Sequence, residues 1–377
     1  MKALFVGDVC IKREIENDNF LSDDVINLIK DCDIRAFNME GPIDGAGNCP
    51  IVKKGPSISQ NKEVVKVMSE NGFNYASLAN NHIMDMGIEG LSSTITALET
   101  NNVRFSGASV YNDGFHNPCT IRTDEFNLAL ISVAENGFGC SGETCEQRAG
   151  GYAWMLDSML FRTISEAKKD NDAVIMICHA GAEEFELPLP ELRTLYKRMI
   201  DEGADAVVAH HPHVCQGVEL YKGCPIIYSL GNFAFDGLDN SGVAYQPKGM
   251  MAILDIKKGG IIKCETIPTI YEKGRIILGD IDQHSKWLRE QEEILLDQEK
   301  YSKRIDCFCE RAFDEVYSNY YDISRGLHLY RFRSKLSTYV KFLIGKRVID
   351  DVMLYHNIEI ETHRWVVSRA IRNKYGI

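Results

Sequence analysis

The chain has 377 residues, 45% of them hydrophobic and 25% charged, which is the composition of an ordinary globular protein with enough apolar residues for one or two cores. No run of about 18 uncharged apolar residues occurs, so no membrane-spanning helix is expected. The twelve cysteines are scattered without a CxxC pair, which argues against both a zinc ribbon and a disulfide framework.

The first strand is expected at 3–7 (ALFVG), where the chain reaches Asp8 after too few apolar residues for a signal-peptide core. A cytoplasmic protein is the resulting expectation. A helix over 22–31 follows, then a strand at 34–39, a helix at 60–71, a strand at 75–80 and a helix at 87–101. The alternation resumes with a strand at 128–133, a helix at 157–169, a strand at 173–179, a helix at 189–202 and a strand at 204–210. Strands alternating with helices of this length point to an α/β domain with central sheets. From 215 to 270 short strands separated by Gly and Lys-Gly turns read as an antiparallel run closing a sheet. The first domain is therefore drawn over 1–275. A helical domain follows over 280–377, and Gly326 and Gly345 mark interruptions in it. The net charge is −12, yet residues 325–377 hold eleven Lys/Arg against four Asp/Glu, so a basic tail follows an acidic body.

The chemistry gathers at strand ends. Asp8 follows the first strand, Glu40 the second, Asn81 the third, His179 the strand at 173–179, and His211 and His213 the strand ending at 210. In open α/β sheets such carboxyl ends converge on ligand sites. Oxygen and imidazole donors together suit Mn, Fe, Zn, Co or Ni better than Ca or Mg. The His-x-His spacing lets two imidazoles leave one short segment on the same side. Any one of these residues alone has an ordinary explanation as a turn, a cap or a core histidine. Their joint placement makes a divalent-metal site the better reading.

The segments VGDV, NMEGPI, SLANNHIMDMGIEGL, CHAGAE, GADAVVAHHPHV and YSLGNF occur in this order over about residues 1–255. They resemble the bacterial capsule-synthesis family named for poly-γ-glutamate (CapA-type), part of the calcineurin-like metallophosphoesterase superfamily. The resemblance implies an α/β/β/α sandwich with a C-terminal helical appendage, and two divalent ions, Mn, Fe or Zn. It implies that Asp8 and His213 hold the first ion, that Glu40 bridges, and that Asn81, His179 and His211 hold the second. His82 would assist the leaving group while metal-activated water attacks phosphorus, and Asp85 would fix the His82 tautomer. Two residues depart from the superfamily pattern: Cys10 stands where its Asp-x-His motif has the histidine, and Glu40 stands for an aspartate.

Glu183, Asn232 and Lys54 are further candidates for substrate contact or for orienting the ligands. The expected function is phosphoester hydrolysis in surface-polysaccharide or capsule-polymer metabolism, on an anionic phosphorylated or polymeric substrate. Cleavage of a γ-glutamyl amide and a non-catalytic role in capsule assembly are the alternatives. The basic helices are expected to touch a membrane surface peripherally, to meet a polyanion, or to serve as the contact of a homo-oligomer. A nucleic-acid partner is not expected.

Overall fold

The computed structural model describes residues 1–15, 19–45, 47, 49–53, 55–111, 113–140, 150–236, 248–317 and 351–376. The chain opens with β1 (Lys2–Cys10), α1 (Asp23–Lys30), β2 (Ile34–Met39), α2 (Val64–Glu70), β3 (Tyr75–Ser77), α3 (Gly87–Thr100) and β4 (Arg104–Ser106). It continues through β5 (Ala108–Ser109), β6 (Cys119–Arg122), β7 (Asn127–Ala134), β8 (Gly151–Tyr152), α4 (Leu160–Asp170), β9 (Ala173–His179), α5 (Pro190–Asp201) and β10 (Ala206–His210). Then come β11 (Cys215–Tyr221), β12 (Cys224–Leu230), β13 (Asn232–Phe235), β14 (Lys248–Lys257), β15 (Gly260–Glu272) and β16 (Arg275–Leu278). The helices α6 (Ile281–Leu296), α7 (Gln298–Ala312), α8 (Asp351–Glu359) and α9 (Glu361–Tyr375) follow, with a π-helical turn at Phe313–Tyr317.

Two sheets stack face to face. In the first the order is β16-β15-β14-β1-β2-β3-β4, with β13 added in parallel to the end of β1; in the second it is β11-β12-β10-β9-β7-β6. Period-two alternation assigns each face. Ala3 and Phe5 of β1 meet Leu128, Leu130, Ile175, Ile177 and Val208 of the second sheet in the core between the sheets. Leu4 and Val6 turn the other way, into the core shared with Val25 and Ile29 of α1, Val64 and Met68 of α2 and Leu91 of α3. On the outer face of the second sheet α4 lies against β7 and β9, and α5 against β10. The result is an α/β/β/α sandwich, the layering that the resemblance implies.

The segment 215–270 departs from the single antiparallel run expected of it. β11 pairs antiparallel with β12 in the second sheet, and β14, β15 and β16 form an antiparallel edge of the first. The four-residue β13 carries the chain from one sheet to the other. Its pairing is close, because a Cβ added to Gly7 would lie 2.1 Å from the carbonyl oxygen of Gly231. Glycine is therefore required there, and the same approach sets Asp8 beside Asn232.

By internal contacts the chain divides into two units, residues 1–51 with 57–296, and 52–56 with 297–377. The helix α6 belongs to the first unit. Its Ile294 and Leu295 are buried, its His284 Nε2 lies 2.9 Å from Thr266 Oγ1, and Arg193 donates to the Leu295 carbonyl at 3.1 Å. The helical region expected from 280 thus divides at Asp297, whose side chain caps α7 by accepting from the backbone N–H groups of Glu299 and Lys300. In the second unit Arg369 of α9 pairs with Asp306 of α7. Lys54, both glycines Gly326 and Gly345, and residues 325–350 of the basic tail lie outside the described residues. No described helix is long and apolar enough to cross a membrane.

Candidate metal centre

The strands β1, β2, β3 and β4 run parallel in one sheet, as do β7, β9, β10 and β12 in the other. Their carboxyl ends deliver the polar residues to one place. Asp8, Glu40, His179, His211 and His213 are all buried there, and they supply two overlapping groups of three donors. In each group, Glu40–His179–His211 and Asp8–Glu40–His213, the donor atoms lie within 4.8 Å of one another. Glu40 belongs to both.

On the β9 side the geometry is tight. His179 Nε2 stands 3.0 Å from Asn81 Oδ1 and 3.0 Å from His211 Nδ1. Donors about 3.0 Å apart match the cis edge of an octahedron with bonds of about 2.1 Å. Burial holds both histidines below their ordinary range, His211 at about 4, so both are neutral and able to ligate. On the β1 side His213 Nδ1 donates to Asn232 Oδ1 at 2.9 Å, which leaves Nε2 facing Glu40 Oε1 at 3.4 Å. Burial works against a charge on His213, but Glu40 and Asp8 outweigh it and lift the ring to about 10. Asp8 is held well below the carboxylate range: burial opposes its charge, and His210 and His213 more than compensate. Asn38 ties the two sides together, its Nδ2 lying 2.8 Å from Asp8 Oδ1 and 3.2 Å from His179 Nδ1.

Glu40 provides the test of fit. It is fully buried, neither carboxylate oxygen accepts a hydrogen bond, and burial pushes its carboxyl well above the usual range. An orphaned buried carboxylate ringed by imidazoles is costly on its own and is satisfied by a cation. The donor set of carboxylates, imidazoles and one amide oxygen therefore fits one or more divalent ions. The backbone is strained in the same place. His211 and His213 have φ of +95° and +58°, a region that non-glycine residues seldom enter.

Cys10 stands apart from these donors. It packs in a small apolar cluster with Ile58 and Phe235, and burial pushes its thiol far above the ordinary range. It is a neutral core thiol, and the β1 side has Asp8, Glu40 and His213 as its donors. His82 follows Asn81 and lies mostly buried at the same edge. Its Nδ1 is 2.7 Å from Asp85 Oδ2, which also accepts from Ile58 N at 2.7 Å. A carboxylate can only accept, so Nδ1 carries the proton and Nε2 is the nitrogen left for the substrate side. Met86, not Asp85, is the N-cap of α3. Asn80 donates to the Met39 carbonyl at 2.9 Å, fastening the loop after β3 to the end of β2.

Glu183 is exposed, and it forms a third group of donors with His211 and His213. One buried acid at the centre escaped the reading of the sequence. Glu135 follows β7; its Oε1 accepts from Gly181 N at 3.2 Å and stands 3.5 Å from His211 Nε2. The signal that finds it is the one used for the others, a polar residue ending an apolar strand, here LALISVAE.

The family model for the bacterial capsule synthesis protein PGA_cap matches residues 2–237. The PGA biosynthesis protein CapA of Bacillus subtilis is 31% identical over 282 residues, covering 71% of this chain and 71% of that protein. The capsule biosynthesis protein CapA of Bacillus anthracis is 33% identical over 246 residues, covering 61% of this chain and 59% of that protein, so less than two thirds of its length is spanned. Among solved structures a putative 5'-nucleotidase from Staphylococcus aureus aligns with a TM-score of 0.46 and 16% identity over 79% of this chain and 59% of that one. The match over most of the sandwich, carrying the strand-end donors with it, places this chain in the bacterial capsule synthesis protein family PGA_cap.

Proposed function

We propose that the centre hydrolyses a phosphoester in the metabolism of a capsule or surface polymer, using two divalent ions. The observation that carries this reading is the buried convergence of Glu40 with both groups of donors, next to the His82–Asp85 pair. When bound, such ions activate water at neutral pH and neutralise charge on phosphoryl oxygens. Asp8, Glu40 and His213 would hold one ion, and Glu40, Asn81, His179 and His211 the other. Asn232 and Asn38 keep His213, Asp8 and His179 in place through hydrogen bonds. Asp85 holds the Nδ1 proton of His82 and so turns Nε2 toward the leaving oxygen; as an imidazolium the ring gives that oxygen its Nε2 proton and is left as the Nδ1–H tautomer. Mn, Fe and Zn all suit this set of donors.

A second reading rests on the names of the Bacillus relatives, which concern PGA and capsule biosynthesis. The same activated water would attack the carbonyl of a γ-glutamyl amide. Incubation of the metal-loaded protein with an aryl phosphate and with γ-glutamyl oligomers separates the two. Metal-dependent release of the aryl alcohol, lost in His82→Ala with metal content retained, supports the first. Cleavage of the oligomers alone supports the second. Absence of bound metal and of turnover on both substrates would refute both.

A further inference from the structure

We propose that Glu183 is a metal-ligating carboxylate of this centre, supplying the donor that Cys10 does not. The inference rests on the reading of the site as a metal centre. Cys10 is turned into the Ile58–Phe235 cluster, so the Asp8 side has three ligands from strand ends and no imidazole from the first strand. Glu183 is exposed and comes from the loop after β9. One of its carboxylate oxygens lies within 4.8 Å of a ring nitrogen of His211 and of one of His213.

This approach is built into the backbone. The loop after β9 is fastened to the loop that bears both histidines. Ala180 N donates to the His210 carbonyl at 3.1 Å and Glu184 N to the Pro212 carbonyl at 2.9 Å, so the bonds bracket Glu183. Between them Gly181, at φ +140°, presses on Pro212, and a Cβ there would meet Pro212 Cγ at 2.9 Å. Glu184 itself takes a left-handed φ of +56°. A non-glycine residue in that region is held by its surroundings. The carboxylate of Glu183 is thus carried to the two histidines by the chain, with little ordering left to do when a cation arrives.

The test uses the full-length protein stripped of metal and titrated with Mn2+. Wild type, Glu183→Gln, Glu183→Asp and Glu186→Gln are compared by calorimetry and by metal content after dialysis. Glu186 lies on the same loop and is exposed, so Glu186→Gln removes the same charge without removing the proposed ligand. Glu183→Gln is expected to lose one ion per chain, or to bind the weaker ion on the order of 10- to 100-fold less tightly. Glu183→Asp should recover part of the loss, and Glu186→Gln should match wild type. Exchange-coupled Mn signals in electron paramagnetic resonance should weaken most in Glu183→Gln, less in Glu183→Asp, and not in Glu186→Gln. Metal-free melting temperatures should be equal, because Glu183 is exposed. Wild-type stoichiometry and affinity in Glu183→Gln, whether or not its KM rises, would overturn the proposal and leave Glu183 a substrate contact at most. A wild-type protein that binds no Mn2+ would instead overturn the metal centre itself.

Discussion

A close backbone approach beside Asp8 gives a sharp test of how the fold builds the centre. Replacing Gly7 with alanine puts a Cβ 2.1 Å from the Gly231 oxygen. The chains must part by about 1 Å before the contact is tolerable. That parting breaks the hydrogen bond from Asp8 N to Gly231 O, now 3.0 Å, and leaves a buried amide without its acceptor. The lost bond costs about 1–3 kcal/mol and the overpacking another 1–3 kcal/mol. The total, about 2–6 kcal/mol, is a large share of the roughly 5–15 kcal/mol that holds a typical protein folded. In urea unfolding the midpoint should fall by about 1–2 M. Asp8 and Asn232 face each other across the same pairing, so Mn2+ affinity should fall as well. A Gly7→Ala protein with an unchanged midpoint and unchanged Mn2+ affinity would refute the argument that this approach sets Asp8.

Other substitutions separate the parts of the site. Asp85→Asn should lower turnover by about 10²- to 10⁴-fold, because the His82 tautomer is no longer imposed, while metal content stays at wild-type level. Wild-type turnover in that variant would remove Asp85 from the site. His179→Ala and His213→Ala should each lower bound metal, measured by elemental analysis, and either variant retaining full occupancy would strike that ligand from the set. Metal binding should grow stronger with rising pH. His213 is protonated below its pKa of about 10 in the metal-free protein, so ion and proton compete at neutral pH, whereas His211, near 4, is already neutral. Calorimetry in buffers of different ionisation enthalpy should therefore detect proton release on Mn2+ binding at pH 7–8; an affinity that is flat from pH 6 to 9 would contradict this.

The strand-end donors were legible in the sequence because two local signals coincide at each. An apolar β-branched run ends, and the next residues are polar and of ligand type, as in AVIMICH and ADAVVAHHPH. Glu135 carried the same signal at the end of LALISVAE and was passed over, since a glutamate after a strand is common and this one has no histidine beside it as Asn81 does. The short strands β4, β5, β8 and β13 were invisible because two to four residues cannot display an alternation. Position β13 matters most, for it joins the sheets and brings Asn232 to His213. The break between α6 and α7 is a capping event at Asp297 within a charge-rich run of helix formers, where propensity alone runs straight through. What decides the fate of Cys10 is also nonlocal: nothing in VGDVC says that Ile58 and Phe235 close over the thiol.

The donors of the centre are a costly arrangement by themselves, and the costs share one direction. Glu40 is buried with both oxygens unsatisfied, and Asn232 Nδ2 is likewise without a partner. His211 and His213 hold left-handed backbone conformations, each worth of order 1–3 kcal/mol. None of these is relieved by closer packing, and a hydrophobic substitution would relieve only the burial of Glu40. A cation relieves the Glu40 carboxylate and engages the donors that the strained HPH segment presents. Ion binding and folding are therefore linked: at free ion one hundred times its dissociation constant the gain in stability is about 2.7 kcal/mol. The chain's sandwich supplies rigid strand ends on two sheets for this purpose. The loops that complete the site, after β9 and after β10, are stitched to each other by backbone hydrogen bonds, which fix the spacing of the donors they carry.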